Sequence, residues 1–207
     1  MTGKAEEFRT CLTVAIADFE IEPLPDEQTA LLVKHYLMLC RWNERINLTR
    51  IVSPREAATR HYAESLFGAE FIGAAKSVLD IGSGAGFPGI PIAVACAGTR
   101  VTALEANQKK ALFLKEAKDA LALDNFDVAN ARLEECDWTS YDVLTTRAVE
   151  RAESILPPII EKLGSDQLLV LYCARDLVEQ LEGSQHCKIE THPIPLSDQR
   201  VIAIVKS

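Results

Sequence analysis

Val78-Leu79-Asp80-Ile81-Gly82-Ser83-Gly84-Ala85-Gly86-Phe87-Pro88-Gly89 is an apolar run that ends at a carboxylate and then breaks into alternating glycines. This order predicts a strand, a tight loop and the start of a helix, because glycine permits positive φ and close approach of the backbone. Pro88 and Pro91 suit the first turn of a helix, where their missing amide protons cost little. We therefore expect a ligand to lie above this loop.

Two ligands satisfy the spacing of the loop. Residues 84–89 match the dinucleotide fingerprint, and Glu105 closes the next apolar run at a distance suited to holding ribose hydroxyls, so NAD fits. Asp80 at the strand tip, however, would repel a pyrophosphate and attract the ammonium and sulfonium groups of S-adenosylmethionine. The pattern therefore favours a methyltransferase. An NAD-dependent oxidoreductase and a regulatory module that binds S-adenosylmethionine without turnover remain the alternatives.

Composition limits the class of protein. A chain of 207 residues that is 48% hydrophobic predicts one main domain with one substantial core. No apolar run approaches the roughly 20 residues that span a membrane, and the first residues lack the apolar core of a signal peptide. We therefore expect a cytoplasmic protein. The six cysteines are scattered, which predicts reduced thiols and neither a metal site nor a disulfide framework.

Charge is distributed unevenly along the chain. The net charge of −8 argues against nonspecific coating of nucleic acid. Between Lys34 and Tyr62, however, six bases face two acids, a local excess of +4. This excess predicts either a face that docks an anion or a set of arginines paired with neighbouring acids, and charge alone favours the pairs.

Apolar periodicity divides the chain near residue 72. Helical spacing over 4–18, a helix capped by Asp26 and another opened by Pro54 predict a helical cap, residues 1–72, packed on a main domain, residues 73–207. In the main domain short β-branched runs alternate with amphipathic stretches, which is typical of an α/β fold. Strands are expected near 77–81, 100–104, 126–129, 141–146, 167–173, 187–192 and 200–206, with helices over 107–123 and 151–163.

The last two predicted strands are joined by a loop too short for a crossover helix. They should form a hairpin, so the seven-stranded sheet should be parallel except for one antiparallel strand. Ligands of such sheets bind beyond the carboxyl ends of the strands. Asp80, Glu105 and the segment after Thr146 should therefore share one rim.

Four blocks of residues carry a resemblance to a known family. They are Trp42-Asn43-x-x-x-Asn47-Leu48-Thr49-x-Ile51, Arg60-His61-x-x-Glu64-Ser65-Leu66, the loop from Asp80 to Pro91, and Thr146-Arg147-Ala148-Val149. Together they resemble the glucose-inhibited division protein B family, which methylates N7 of a guanine in small-subunit (16S) ribosomal RNA. The resemblance implies a Rossmann-like class I methyltransferase fold, S-adenosylmethionine as cofactor, and a monomer acting on 16S ribosomal RNA, alone or in the small subunit or its assembly intermediate. A methyltransferase acting on another RNA or a small substrate is the alternative.

The resemblance also implies site residues. Contacts to S-adenosylmethionine are implied at Gly82, Phe87, Leu133, Glu134 and Arg147, beside the Asp80, Gly84, Gly86 and Glu105 that the two strand ends indicate. The RNA-binding candidates are Arg60, His61, Arg132, Arg175 and Arg200. Guanine N7 carries a lone pair and loses no proton on methylation, so no catalytic acid, base or metal is expected. Arg147 and Arg175 are instead expected to position the base.

Two positions depart from the family's pattern. Glu64 stands where the family usually has aspartate, which keeps the charge and lengthens the arm. Residues 172–175, Tyr-Cys-Ala-Arg, stand where the family usually has Leu-Lys-Gly. We expect Arg175 to supply the missing cation from a shifted position. Trp42 and Asn47 are expected to serve packing and a helix-ending hydrogen bond.

Overall fold

The computed structural model describes residues 3–147, 152–181 and 187–207. The helices are α1 (Gly3–Asp18), α2 (Asp26–Asn43), α3 (Pro54–Ala57), α4 (Glu64–Ala69), α5 (Gly89–Ala95), α6 (Gln108–Leu121), α7 (Ala152–Glu161) and α8 (Arg175–Leu181). The strands are β1 (Ser77–Ile81), β2 (Arg100–Leu104), β3 (Phe126–Ala129), β4 (Val143–Arg147), β5 (Leu168–Ala174), β6 (Lys188–Pro193) and β7 (Arg200–Lys206). A π-helical turn (Ala58–Ala63) joins α3 to α4, and short 3₁₀ turns cover Glu70–Ile72, Leu133–Glu135 and Trp138–Ser140. All seven predicted strands are confirmed to within two residues.

The ends of the helices follow local side-chain chemistry. Ser53 precedes α3 and its hydroxyl accepts from Glu56 N at 3.4 Å, which confirms a helix opened by Pro54. Asn107 lies just before α6, where its Oδ1 accepts from two backbone amides at 3.0 and 3.2 Å, and so caps the helix. The prediction that Asp26 caps α2 is wrong: Asp26 is the first helical residue, and no side chain of the described residues caps this helix.

Two predicted helix bounds also change. Helix α6 stops at Leu121 because Ala122 turns into the left-handed region with φ of 51°. Helix α7 runs over Ala152–Glu161, whereas the prediction ran from 151 to 163. Its first predicted residue, Arg151, lies outside the described residues, as do Ala148 and Val149 of the fourth family block.

The sheet has the order β3-β2-β1-β4-β5-β7-β6. β1 pairs in parallel with β2 and β4, β3 with β2, and β5 with β4, whereas β7 is antiparallel to β5 and to β6. The predicted hairpin and the single antiparallel strand are therefore confirmed. Ile81 lies level with Leu104 on one side and Thr146 on the other, which places the ends of β1, β2 and β4 on one rim as predicted.

Helices cover both faces of the sheet because successive strand residues point to opposite sides. Val78 packs in a core with Phe8 and Tyr62 from the N-terminal helices, whereas Leu79 packs on the other face with Leu156 of α7. The N-terminal helices thus share a core with the sheet. In the described part of the chain no helix is long and apolar enough to cross a membrane. Cys11, Cys40, Cys96, Cys136 and Cys173 have free thiols.

Candidate active site

The glycine loop turns sharply where β1 ends. Gly82, Gly84 and Gly86 have φ of 72°, 59° and 90°, a region that side chains strongly disfavour. Gly82 N donates to Leu104 O at 2.8 Å, so the loop starts out tied to the neighbouring strand. A Cβ atom on Gly86 would lie 2.5 Å from Ile90 Cδ1. The loop therefore requires glycine for both conformation and space.

Asp80 lies fully buried behind the loop. Its Oδ2 accepts from Ser83 Oγ at 2.5 Å and from Gly89 N at 2.9 Å, so it ties the loop to the start of α5. Its Oδ1 is buried and has no hydrogen-bond partner among the described residues. Burial raises the pKa of Asp80 to about 7 against the opposing effect of these two hydrogen bonds. Asp80 thus holds the loop in place and leaves one acceptor unused.

Glu105 joins the loop to the next helix. Its Oε2 accepts from Gly84 N at 2.9 Å and its Oε1 accepts from Asn107 N at 2.8 Å. Because Asn107 caps α6, one carboxylate fixes both the glycine loop and the helix that follows β2. Glu105 as a residue is only 7% exposed, and it lines a cavity.

A cavity of about 690 Å³ opens at the carboxyl ends of β1 and β2; we call it the larger cavity. It is lined by Ile81, Gly82, Leu104, Glu105, Ala106, Ala131, Arg132, Leu133, Glu134, Cys136, Trp138, Ser154, Ile155, Pro158, Ile159 and Lys162. Four predicted cofactor residues lie in this wall: Gly82, Glu105, Leu133 and Glu134. The other five predicted cofactor residues, Asp80, Gly84, Gly86, Phe87 and Arg147, do not line it. Arg132, predicted to bind RNA, lines the larger cavity.

A second cavity of about 310 Å³, the smaller cavity, lies at the ends of β4 and β5. It is lined by Arg60, Glu64, Thr146, Arg147, Leu156, Leu171, Tyr172, Cys173, Ala174, Leu177, Ile194 and Arg200. Thr146, in its wall, donates its hydroxyl to Ile81 O at 2.8 Å, and Ile81 lines the larger cavity. Helix α7 likewise contributes Ile155 to one cavity and Leu156 to the other. The two cavities are therefore neighbours on one rim.

A buried carboxylate organises the charges of the smaller cavity. The Glu64 side chain is 2% exposed; Arg200 Nη1 donates to its Oε1, and Arg147 Nη2 lies 3.8 Å from its Oε2. Burial raises the pKa of Glu64, while the two guanidinium groups oppose that shift. Arg60 lines the same cavity and pairs with the half-exposed Glu56 at 3.2 Å. Sequence reasoning anticipated the arginines but missed Glu64, which joins two of them.

His61 connects Arg147 to the cap. Arg147 Nη2 donates to His61 Nδ1 at 3.1 Å, so the ring is assigned as the tautomer whose Nε2–H faces Thr49 Oγ1 at 2.9 Å. Burial, reinforced by the charge of Arg147, lowers the pKa of His61 to about 2. Its ring stacks on Phe87 with centroids 4.5 Å apart. His61 and Phe87 line neither of the two cavities. Their stacked rings instead join the cap to the glycine loop.

The π-helical turn Ala58–Ala63 presents this histidine. Turns of this kind are rare in proteins, and those that occur are often found at functional sites. The carbonyl of His61 accepts from Ser65 Oγ at 2.5 Å and from Arg147 Nη1 at 3.4 Å. Arg147 therefore meets both the backbone and the ring of one residue, and its guanidinium is held in a single orientation.

Asn43 orders the segment that carries Thr49. Its Oδ1 accepts from Leu48 N and Thr49 N at 2.8 and 2.9 Å, and its Nδ2 donates to Thr49 O at 3.0 Å. The hydrogen bonds that order the chain after α2 thus come from Asn43, whereas Asn47, predicted for this role, is exposed. Trp42 packs edge-on against Phe113 at 5.7 Å, in line with its predicted packing role.

Arg175 lies apart from the other arginines. It is the first residue of α8, is exposed, and its Nε donates to Asp198 O at 3.3 Å. Its neighbours Cys173 and Ala174 reach the wall of the smaller cavity. The structure therefore brings together Arg60, Arg147 and Arg200, and leaves Arg175 outside this group.

Comparison with known proteins agrees with this architecture. The model of the GidB family, described as rRNA small subunit methyltransferase G, matches residues 28–196. The chain belongs to this family. The ribosomal RNA small subunit methyltransferase G of Solibacter usitatus is 39% identical over 175 residues, 82% of each chain. That of Stenotrophomonas maltophilia is 44% identical over 126 residues, 60% of this chain, and the match spans 59% of the relative's length.

A solved structure has the same fold. The precorrin-6y C5,15-methyltransferase of Geobacter metallireducens superposes with a TM-score of 0.57 at 16% identity, covering 78% of this chain and 92% of that one. The Rossmann-like methyltransferase fold is thereby confirmed. The family membership likewise confirms the resemblance carried by the four sequence blocks.

Proposed function

We propose that this chain transfers a methyl group from S-adenosylmethionine to N7 of a guanine in 16S ribosomal RNA. The observation that carries the proposal is the pair of neighbouring cavities on one rim of the sheet. Methyl transfer requires a donor and an acceptor held in contact and in line. Two cavities that meet at the paired residues Ile81 and Thr146 support such an arrangement.

The residues of the larger cavity fit S-adenosylmethionine. Glu105 has lone pairs left to accept from ribose hydroxyls, and Leu133 and Glu134 stand where an adenine can be flanked. Behind the loop, Asp80 adds an unused buried acceptor whose charge suits a cationic ligand. When bound, S-adenosylmethionine supplies an electrophilic methyl group on a positively charged sulfur. We assign the larger cavity to this cofactor.

The chain's own contribution is alignment. Guanine N7 attacks with a lone pair that is already present, so no side chain has to remove a proton. His61 suits this mechanism because its pKa of about 2 and its two hydrogen-bonded nitrogens leave no free base near neutral pH. Arg147, fixed by His61, can donate to a base from one orientation. We therefore assign Arg147 to positioning the guanine.

We infer the acceptor from the relatives. Their name specifies ribosomal RNA of the small subunit, and the arginines of the smaller cavity suit an anionic polymer. The substrate is then 16S ribosomal RNA, alone or within the small subunit or its assembly intermediate. We further propose that the protein acts as a monomer in the cytoplasm and that residues 1–72 form a cap on a methyltransferase domain of residues 73–207.

The test uses RNA from cells that lack the gene. Purified protein and S-adenosylmethionine are incubated with naked 16S ribosomal RNA and, separately, with small subunits from those cells. Borohydride and aniline then cleave the RNA at N7-methylguanosine. We expect one new cleavage that matches a cleavage in RNA from cells that carry the gene. If neither substrate gains a cleavage, the proposed function is wrong.

A further inference from the structure

We propose that Glu64 recognises guanine by accepting hydrogen bonds from its N1–H and its 2-amino group inside the smaller cavity. This inference rests on the proposed function and names a residue that selects the base. A structural alternative is that Glu64 only neutralises Arg147 and Arg200. The geometry of the cavity favours recognition for three reasons.

The first reason is unused acceptor capacity. Oε1 accepts from Arg200, but Oε2 lies 3.8 Å from Arg147 Nη2, which is beyond hydrogen-bond distance. A carboxylate offers about four acceptor positions. Although Glu64 is only 2% exposed, it forms part of the cavity wall. A ligand with two adjacent donors can therefore complete its hydrogen bonds.

The second reason is that apolar side chains surround Glu64 in the smaller cavity. Apolar walls from Leu156, Leu171, Leu177 and Ile194 suit a planar base rather than a phosphate. A buried carboxylate also repels phosphate. The hydroxyl of Tyr172 already donates to Ser65 O at 3.0 Å, so it is held away from competing for the carboxylate.

The third reason is selectivity. Guanine is the base that presents two neighbouring donors, N1–H and the 2-amino group, on its Watson–Crick edge. Adenine presents the acceptor N1 at the corresponding place, which a carboxylate disfavours. With N1–H and the 2-amino group on Glu64, N7 lies on the other edge of the base, and O6 lies between N1 and that edge. N7 is then free to contact the methyl donor, while Arg147 donates a hydrogen bond to the guanine ring.

The experiment compares guanosine with inosine, which lacks the 2-amino group. After the target has been mapped, 16S ribosomal RNA carrying either nucleotide there is made by ligation. For wild type we expect kcat/KM to be roughly 10- to 100-fold higher with guanosine, the effect of losing one hydrogen bond to a charged group. Glu64→Gln should reduce that ratio to within about threefold, because a neutral amide makes the weaker bond.

Controls separate recognition from structure. Glu56→Gln also removes an arginine's partner, but Glu56 lies outside both cavity walls and the guanosine preference should persist. Glu64→Asp keeps the charge and should keep part of the preference. Calorimetric affinity for S-adenosylmethionine should stay unchanged in each variant, which shows that the fold is intact.

Two results would overturn the inference. If Glu64→Gln slows guanosine and inosine RNA equally, Glu64 only balances the arginines. If wild type methylates both RNAs equally well, the 2-amino group is not read, and this outcome decides the matter even when Glu64→Gln does not fold. A wild-type protein that methylates neither RNA would instead contradict the proposed function.

Discussion

In the larger cavity the polar contacts are set by backbone amides, whereas in the smaller cavity they are set by long charged side chains. Gly84 N and Asn107 N donate to Glu105 within a few residues of each strand end. Glu64, by contrast, meets Arg147 and Arg200, which follow it by more than eighty residues. The first site depends on local conformation and the second on the packing of the cap against the sheet, so they should fail in different ways.

The largest effect is expected from Gly86→Ala, which changes the glycine loop beside the larger cavity. The new Cβ would lie 2.5 Å from Ile90 Cδ1 at a φ of 90°. Backbone strain and overpacking together should lower the free energy of unfolding by roughly 2–5 kcal/mol. Denaturant unfolding measures this loss, and calorimetry should show that binding of S-adenosylmethionine falls below detection.

Gly73→Ala is the matched control for that variant. Gly73 also has a positive φ, 60°, but nothing lies within 4 Å of a Cβ placed there. It should lose about 1–3 kcal/mol, from a backbone with φ of 60° and ψ of −137° that alanine disfavours, and keep its affinity for cofactor. Equal losses in the two variants would show that the tight contact at Ile90 does not matter.

Arg147→Lys changes the smaller cavity, which Arg147 lines. Lysine keeps the charge but loses the planar group that donates to the ring and the carbonyl of His61. Single-turnover methyl transfer should slow by roughly 10- to 100-fold, the cost of a hydrogen bond in which one partner is charged. Affinity for S-adenosylmethionine should change much less. A variant that loses cofactor affinity and rate in equal measure would place Arg147 in the cofactor site.

The sequence predicts the residues around the larger cavity far better than the contacts in the smaller cavity. The seven strands, the final hairpin, the rim and the positions of Gly82 and Glu105 follow from local patterns of apolar residues, glycines and acids. The ion network of Glu64 joins a helix, the end of β4 and the start of β7, which only the folded chain brings together. For the same reason the sequence predicts that Arg175, like Arg147, positions the base, whereas Arg175 begins α8 and donates to Asp198 O.

Asp80→Asn sharpens the comparison through pH. Because burial raises the pKa of Asp80 to about 7, the wild-type carboxyl is protonated below that pH and attracts a cationic ligand less. Affinity for S-adenosylmethionine should weaken by up to about tenfold per pH unit below 7 and level off above it. Asp80→Asn should bind weakly and without this dependence. Calorimetry from pH 5.5 to 8.5 checks both. A wild-type affinity that does not change with pH would show that the charge of Asp80 does not contribute to cofactor binding.

The free protein should respond to the same group with the opposite sign. The unfolded carboxyl, with an ordinary pKa of 3.8, releases its proton before the folded one does. Stability should therefore fall as pH rises from about 4 to 7, and Asp80→Asn should lessen that fall. Unfolding midpoints measured without cofactor provide the check.

The smallest effect is expected for the pH dependence of the chemical step. With cofactor and RNA saturating, single-turnover rates should vary by less than about twofold between pH 6.5 and 8.5, because no proton is transferred. His61, with a pKa of about 2, stays neutral throughout this range. A tenfold rise per pH unit that disappears in His61→Asn would show that this histidine acts as a base.

The π-helical turn Ala58–Ala63 makes the number of residues in a helix part of the site. Each residue of an α-helix advances the chain by about 100° around the axis. Deleting one residue from this turn would leave the helices before and after it nearly in phase, because the wider π turn absorbs one extra residue, but it would close the wide turn that presents His61. A substitution alters one contact here, whereas a one-residue deletion would remove the backbone conformation in which the His61 carbonyl meets Arg147.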